Sequence, residues 1–287
     1  MTSMSWQRRL SSGHFAARCE RGPREVNADY LALQEFSYTT AIAICDGTGD
    51  DYEAATCARI GAEITAVAVA QTGRAIGGVT AAREALTDYY QEGALYAQDA
   101  AATVVTAVVT DKGIDLAWAG DSVAFALDRA GTLHTPTTPY PPLYPRPCNI
   151  TAGPIHYRYI WREHPGGSTQ GEVIDVERLL LCSDGLTHHV TNEQITSILL
   201  NTAGDPVAAC DDLVEAVYGA KTYGNVTVAV LDLPLLPQAE TTEELSVTVT
   251  GAHRPARSYL PPGQAAPATA RGAAHRLRRA LPIHAQG

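Results

Sequence analysis

The chain has 287 residues, 45% hydrophobic and 18% charged, which fits a soluble globular core and excludes a fibrous or low-complexity protein. Its formal charge of -10 conceals an asymmetry: residues 251–287 hold six arginines and no acid, residues 237–250 three glutamates and no base, and residues 1–236 fifteen basic against twenty-eight acidic side chains. An acidic body argues against nucleic-acid binding by the main domain and is compatible with divalent cations, and no stretch approaches the ~20 apolar residues of a membrane span.

Residues 1–20 show little pattern beyond Trp6 and Phe15, consistent with an edge strand. Arg8-Arg9 precedes Leu10-Ser11-Ser12-Gly13-His14, not the apolar core of an export signal. Leu31-Ala32-Leu33 reads as a short strand, and Ala41-Ile42-Ala43-Ile44-Cys45 as a buried one that ends in the turn Asp46-Gly47-Thr48-Gly49-Asp50. Asp46 should therefore sit at a strand's mouth. From Glu53 to Gln71, Ala54, Cys57, Ile60, Ile64, Val67 and Ala68 recur on one face of a helix, and Val79 to Gln98 repeats that period. The two read as an antiparallel pair.

Thr103 to Val109 is β-branched and continuous, as in a strand buried on both faces. Ile114 to Ala119 and Val123 to Leu127 follow across short turns, one of them Gly120-Asp121, and extend the reading to an antiparallel meander. Between Leu133 and Glu172 the pattern dissolves, and eight of the chain's 17 prolines fall there, so it reads as a long surface excursion. Leu179-Leu180-Leu181-Cys182-Ser183-Asp184-Gly185 repeats the strand-then-Asp-Gly word. Thr191-Asn192-Glu193-Gln194 has the form of a capping box that opens a helix to about Leu200. Asp205 and Pro206 start another as N-cap and first helical residue, and Val226 to Leu233 is a final strand.

Past Pro237 the composition turns to Pro, Ala, Gly, Arg and Thr, so 1–14 reads as an N-terminal segment, 15–236 as the domain and 237–287 as a disordered tail. The tail arginines, Arg276, Arg278 and Arg279 among them, read as solvated. The order of elements gives an α+β sandwich of two antiparallel sheets flanked by helix pairs. The six cysteines show no C-x-x-C pair and no zinc spacing; they read as reduced thiols in a cytoplasmic protein.

Asp46, Asp121 and Asp184 thus stand at element ends from three distant segments, and if the fold gathers them, their repulsion calls for a cation. His188-His189 reads as surface at a helix entry, because adjacent side chains diverge.

With these residues the chain resembles the metal-dependent serine/threonine protein phosphatases of type 2C (PPM type), particularly the compact bacterial branch. Arg24-x-x-Asn27-Ala28-Asp29 is similar to that family's Arg-x-x-Asn-Glu-Asp opening, and Asp46-Gly47-Thr48-Gly49 to its Asp-Gly-x-Gly. Gly120-Asp121-Ser122, Ser183-Asp184-Gly185-Leu186 and Asn225-Val226-Thr227-Val228 are similar to its later blocks, in order, over about 15–235. The resemblance implies an α-β-β-α sandwich, two Mg2+ or Mn2+ ions at one end of it and a weaker third. It implies a phosphatase that hydrolyses phosphoserine or phosphothreonine in proteins by attack of a metal-bridging water, one arm of bacterial signalling opposite a kinase. By carry-over Asp46 bridges the metals, Gly47 offers its carbonyl, Asp184 ligates the second ion and Asp121 belongs to the third. Asp29 then holds metal-bound water and Arg24 grips the substrate phosphate, whose oxygens its planar fork matches.

Two positions depart from the pattern. Gly224 stands where the family has a metal-ligand aspartate, and Ala28 where it has a glutamate. Asn225, Asp50 or Asp51 could lend an oxygen; Asp232, several residues along the strand, lies out of reach. These departures favour an alternative: a catalytically weak or inactive phosphatase-like module that binds and regulates a phosphoprotein.

Overall fold

The computed structural model describes residues 8–12, 14–36, 39–93, 101–110, 112–138, 149–161, 172–219, 224–233 and 246–249. Strands β1 (Arg8–Ser12), β2 (Phe15–Glu20), β3 (Asp29–Phe36) and β4 (Thr39–Asp46) precede helices α1 (Tyr52–Thr72) and α2 (Ala75–Gly93). Then come β5 (Val104–Val109), β6 (Gly113–Ala119), β7 (Val123–Asp128), β8 (Leu133–His134), β9 (His156–Trp161), β10 (Glu172–Val173) and β11 (Val176–Cys182). Helices α3 (Asp184–Thr187), α4 (Asn192–Asn201) and α5 (Pro206–Gly219) lead to β12 (Val226–Asp232) and β13 (Ser246–Val249).

The strands form two sheets, one ordered β13-β1-β2-β12-β11-β7-β8 and the other β10-β9-β6-β5-β4-β3. Pairing is antiparallel except between β9 and β10. Period-2 alternation splits each central strand between two apolar layers. Leu31, Ile42, Ile44, Val105, Leu116, Leu179, Leu181, Ala229 and Leu231 point between the sheets and form one core. Ala43, Cys45 and Val104 face α1 and α2, packing on Ala62, Val79 and Leu86. Leu180, Cys182, Val228 and Val230 face α4 and α5, packing on Ile195, Leu199, Leu213 and Val217. The result is the α-β-β-α sandwich expected from the sequence. Each fully buried Leu or Ile contributes about 1.5–3 kcal/mol, and the core residues named here are almost all in that state.

Local chemistry fixes the helix starts. The capping box at Thr191 and Gln194 is formed on both sides, and Asp205 accepts from the Ala208 amide at 2.9 Å. Asp51 accepts from the Glu53 and Ala54 amides and caps α1. The buried Asp115 carboxylate of β6 accepts from the Arg74 guanidinium at 3.0 Å and the Ala75 amide at 3.4 Å, which secures the start of α2. Arg178, buried in β11, donates to Asp232 and to the Leu199 and Thr202 carbonyls, so it closes the end of α4 onto the sheet.

Two expectations are corrected. The meander ends at β6: Gly120-Asp121 carries the chain across to the other sheet, where β7 pairs with β11. The excursion between Leu133 and Glu172 contains β8 and β9, and β9 pairs along β6. Its aromatic and polar sequence hid a strand whose partner was already in the sheet. Pairing also reaches past 15–236 on both sides, since β1 pairs with β2 and β13 with β1. These edge strands are short and rich in Ser, Thr or Arg, so they carry no core periodicity. The rest of the stretch read as a tail lies outside the described residues, as does Cys148. Among the described residues the five cysteines are buried and form no disulfide, and no helix is long and apolar enough to cross a membrane.

Candidate functional site

The inward line of each central strand is apolar along its length and changes character at one end. In β4, Ile42 and Ile44 are followed two residues on by Asp46; in β3, Leu31 is preceded by Asp29. The register pairs Asp29 directly with Asp46, so both carboxyls point to the same side. From the other sheet, Leu179 and Leu181 lead to Ser183, and Leu231 and Ala229 lead back to Thr227. Ser183 Oγ and Thr227 Oγ1 each donate to Asp29 Oδ2 at 2.8 Å. The Thr227 amide donates to Ser183 Oγ at 3.0 Å, which ties the two hydroxyls together within their own sheet. Beside it, Thr103 and Ser122 share a hydroxyl hydrogen bond of 2.7 Å.

Asp184 opens α3 immediately after Ser183, and its charge acts on the Asp46 carboxyl. Asp121 lies exposed at the rim, in the turn that crosses between sheets. The structure therefore brings together Asp29, Asp46, Asp121 and Asp184. Burial is the main reason the Asp29 carboxyl is pushed up to about 6, with the charge of Asp184 adding and the Ser183 and Thr227 hydroxyls opposing. Burial, then Asp29, then Asp184, and also Asp121, hold the Asp46 carboxyl well above the usual range. Asp121 is raised by loss of surrounding water and by Asp184.

Gly47 follows Asp46 in a pocket no side chain could enter: a Cβ would lie 2.4 Å from the Ala54 carbonyl oxygen and 3.0 Å from that of Ala28. Its amide donates to the Ala28 carbonyl at 3.0 Å. The loop is held from behind as well, by the Thr48 amide on the Ala101 carbonyl at 2.7 Å and the Thr103 amide on the Asp46 carbonyl at 2.8 Å. A Cβ on Gly185 would lie 2.0 Å from the Asn225 carbonyl oxygen, so α3 packs hard on that turn.

Arg24 forms an ion pair with Asp50, the last residue of the Asp46 loop before the α1 cap. The residues offered as substitutes at Gly224 have other employment. Asn225 accepts from the Ala28 amide at 2.9 Å and donates to the Arg21 and Val26 carbonyls, which ties down the 21–28 loop. Asp51 caps α1 and Asp50 faces Arg24.

The sequence pattern alone did not single out Ser183 and Thr227, although continuing the period-2 alternation past Leu181 and back from Ala229 points to both. Nor is His188 bare surface. Exposed as it is, its Nδ1 lies 3.5 Å from Asp184 Oδ2, one helical turn along.

Carboxyls gathered in this way, two of them raised first by burial and then by neighbouring charge, fit a hard dication as counter-charge. Among the described residues no group of three or more His, Cys, Asp or Glu side chains is disposed to hold a metal ion by itself. An ion here would keep water in much of its shell, as Mg2+ does.

A sequence profile of the protein phosphatase 2C family matches residues 21–215. No curated protein matches the chain. Among solved structures, a substituted form of a bacterial serine phosphatase superposes with a TM-score of 0.64 at 19% identity, covering 78% of this chain and 100% of that one. The Mycobacterium tuberculosis serine/threonine phosphatase PstP/Ppp gives 0.58 at 20% identity, covering 78% and 99%. The catalytic domain of PstP, solved in complex with two manganese ions, gives 0.56 at 20% identity, covering 78% and 98%. At these identities the likeness carries the fold.

Proposed function

The chain belongs to the protein phosphatase 2C family, and from that premise we propose that it hydrolyses phosphoserine and phosphothreonine esters in proteins with the help of Mg2+ or Mn2+. The observation that carries this reading is the convergence of three carboxyls from distant segments at one end of the sandwich: Asp29 lies across from Asp46 in the register, and Ser183, which precedes Asp184, donates to Asp29.

In this reading Asp46, Asp184 and the rim Asp121 hold the ions through carboxylate oxygens and Gly47 through its carbonyl. Bound there, the ions supply Lewis acidity, neutralising phosphoryl oxygens and lowering the pKa of a water. Asp29, fixed by Ser183 and Thr227, would hold and orient such a water. Arg24 grips two phosphate oxygens with its planar fork. No side chain of the protein is needed as a nucleophile.

The test is Mn2+-stimulated hydrolysis of an aryl phosphate by the full chain. Asp46→Asn should lower kcat/KM by more than about 100-fold, since even groups outside the metal shell are worth about 10–100-fold. Unchanged activity in that variant removes the reading.

One observation favours a second reading, a phosphatase-like module that binds phosphoproteins with little or no turnover. Gly224 brings no carboxylate, and Asn225 and Asp51 are committed elsewhere. Calorimetry with Mn2+ separates the two: a silent module takes up at most one ion weakly, an enzyme two.

A further inference from the structure

The loop that follows Asp46 ends in two adjacent acids with different tasks. Asp51 is spent on the α1 cap, where it accepts two backbone amides. Asp50, four residues after Asp46, turns instead to Arg24, and the two side chains, 65% and 37% exposed, form an ion pair. A carboxylate engages guanidinium by the same geometry as a phosphate monoester. Asp50 therefore stands where the substrate's phosphate has to go.

Resting on the reading of Arg24 given above, we propose that Asp50 is a built-in stand-in for phosphate. Once displaced, it receives a basic side chain next to the phosphorylated residue, so the preferred substrates are phosphopeptides with Arg or Lys flanking phosphoserine or phosphothreonine. Binding is then an exchange of ion pairs: Arg24 passes from Asp50 to phosphate, and Asp50 passes from Arg24 to the substrate's cation. A substrate without such a cation strands the Asp50 carboxylate beside an incoming dianion. The surroundings suit the exchange, because Asp51 and Glu53 follow closely and are exposed, Asp121 is exposed at the rim, and the body is acidic. An exposed pair of this kind is readily broken, so the selectivity is a matter of several-fold, not orders of magnitude.

The experiment measures binding in Mn2+ with the full chain, independently of turnover. Two labelled peptides carry a difluoromethylene phosphonate in place of phosphoserine, one flanked by Arg and one by Ala, and inorganic phosphate serves as the third ligand. Wild-type protein should prefer the Arg peptide by about three- to eight-fold, the scale of one exposed ion pair formed and one repulsion avoided. Asp50→Asn should bind inorganic phosphate about two- to five-fold more tightly and bring the two peptides to within about two-fold. Asp50→Ser, which leaves the cap at Asp51 untouched, should do the same. No preference in the wild type, a preference that survives both substitutions, or no binding of any of the three ligands overturns the proposal. If aryl phosphate hydrolysis is absent while the preference is present and lost in Asp50→Asn, the catalytic reading falls and this one stands.

Discussion

Asp29 illustrates how a residue's role is set by what reaches it. Its carboxyl is buried, accepts hydroxyls from Ser183 and Thr227, and lies directly across from Asp46. Asp46, Asp121 and Asp184 were legible from the sequence because each ends an apolar run with Asp-Gly or Gly-Asp. The hydroxyls were not, because Ser and Thr near a strand end are ordinary, and only the other sheet gives them a purpose. Gly224 is the residue whose consequence is most open to measurement. Gly224→Asp should tighten Mn2+ binding by about 10-fold or more, the lower range for restoring a metal-site partner. A calorimetric titration of both proteins checks this, and an unchanged isotherm would mean that another group already fills the place.

Among the elements, the one with the longest reach is the segment 149–153, inside what the sequence presented as a patternless excursion. Asn149 organises it by accepting from the Thr151 and Ala152 amides, and Ile150 is fully buried against the α1–α2 layer. Arg83 of α2 donates to the Ile150 carbonyl at 2.6 Å and the Gly153 carbonyl at 2.9 Å. The Ile150 amide in turn donates to the Ala102 carbonyl at 2.7 Å, and Ala102 bridges Gly47. A guanidinium thus supports the Asp46 loop through two backbone contacts. Arg83→Met keeps the aliphatic stem and removes the donors; it should cost about 1.5–3 kcal/mol in urea unfolding, the scale of hydrogen bonds to a charged group. It should also weaken Mn2+ binding, whereas Arg59→Met, on the exposed pair with Glu63, should change neither by much. Prolines and the absence of periodicity hid this segment, since its order comes from partners elsewhere in the chain. The helices were read well for the opposite reason: capping boxes and apolar faces are local.

For the molecule as a whole, the acidic end is a liability without a cation. Asp29 has its carboxyl raised from the ordinary 3.8 to about 6 in the fold, so the folded chain holds a proton that the unfolded chain releases. This contribution is fully present below about pH 4 and is lost as pH rises through about 6, a swing on the order of 3 kcal/mol. Mn2+ binds the deprotonated cluster, so its stabilising effect should grow over the same interval. Thermal unfolding at pH 5 and pH 7, with chelator and with excess Mn2+, should show a stabilisation by metal that is larger at pH 7. Asp29→Asn should reduce the pH dependence of the metal-free protein and leave the part that comes from Asp46. A metal effect equal at both pH values would contradict the account.

The hydroxyl bridges to Asp29 run from one sheet to the other, and that has a consequence beyond catalysis. If the sheet that carries them slid by a single residue, Cys182 or Asp184 would arrive where Ser183 now stands, and Val226 or Val228 where Thr227 does. Alignment of the two halves is thus policed at the rim by chemistry, not by bulk packing alone. Interior substitutions that shift this registration slightly should be felt as impaired turnover while the protein still melts almost normally.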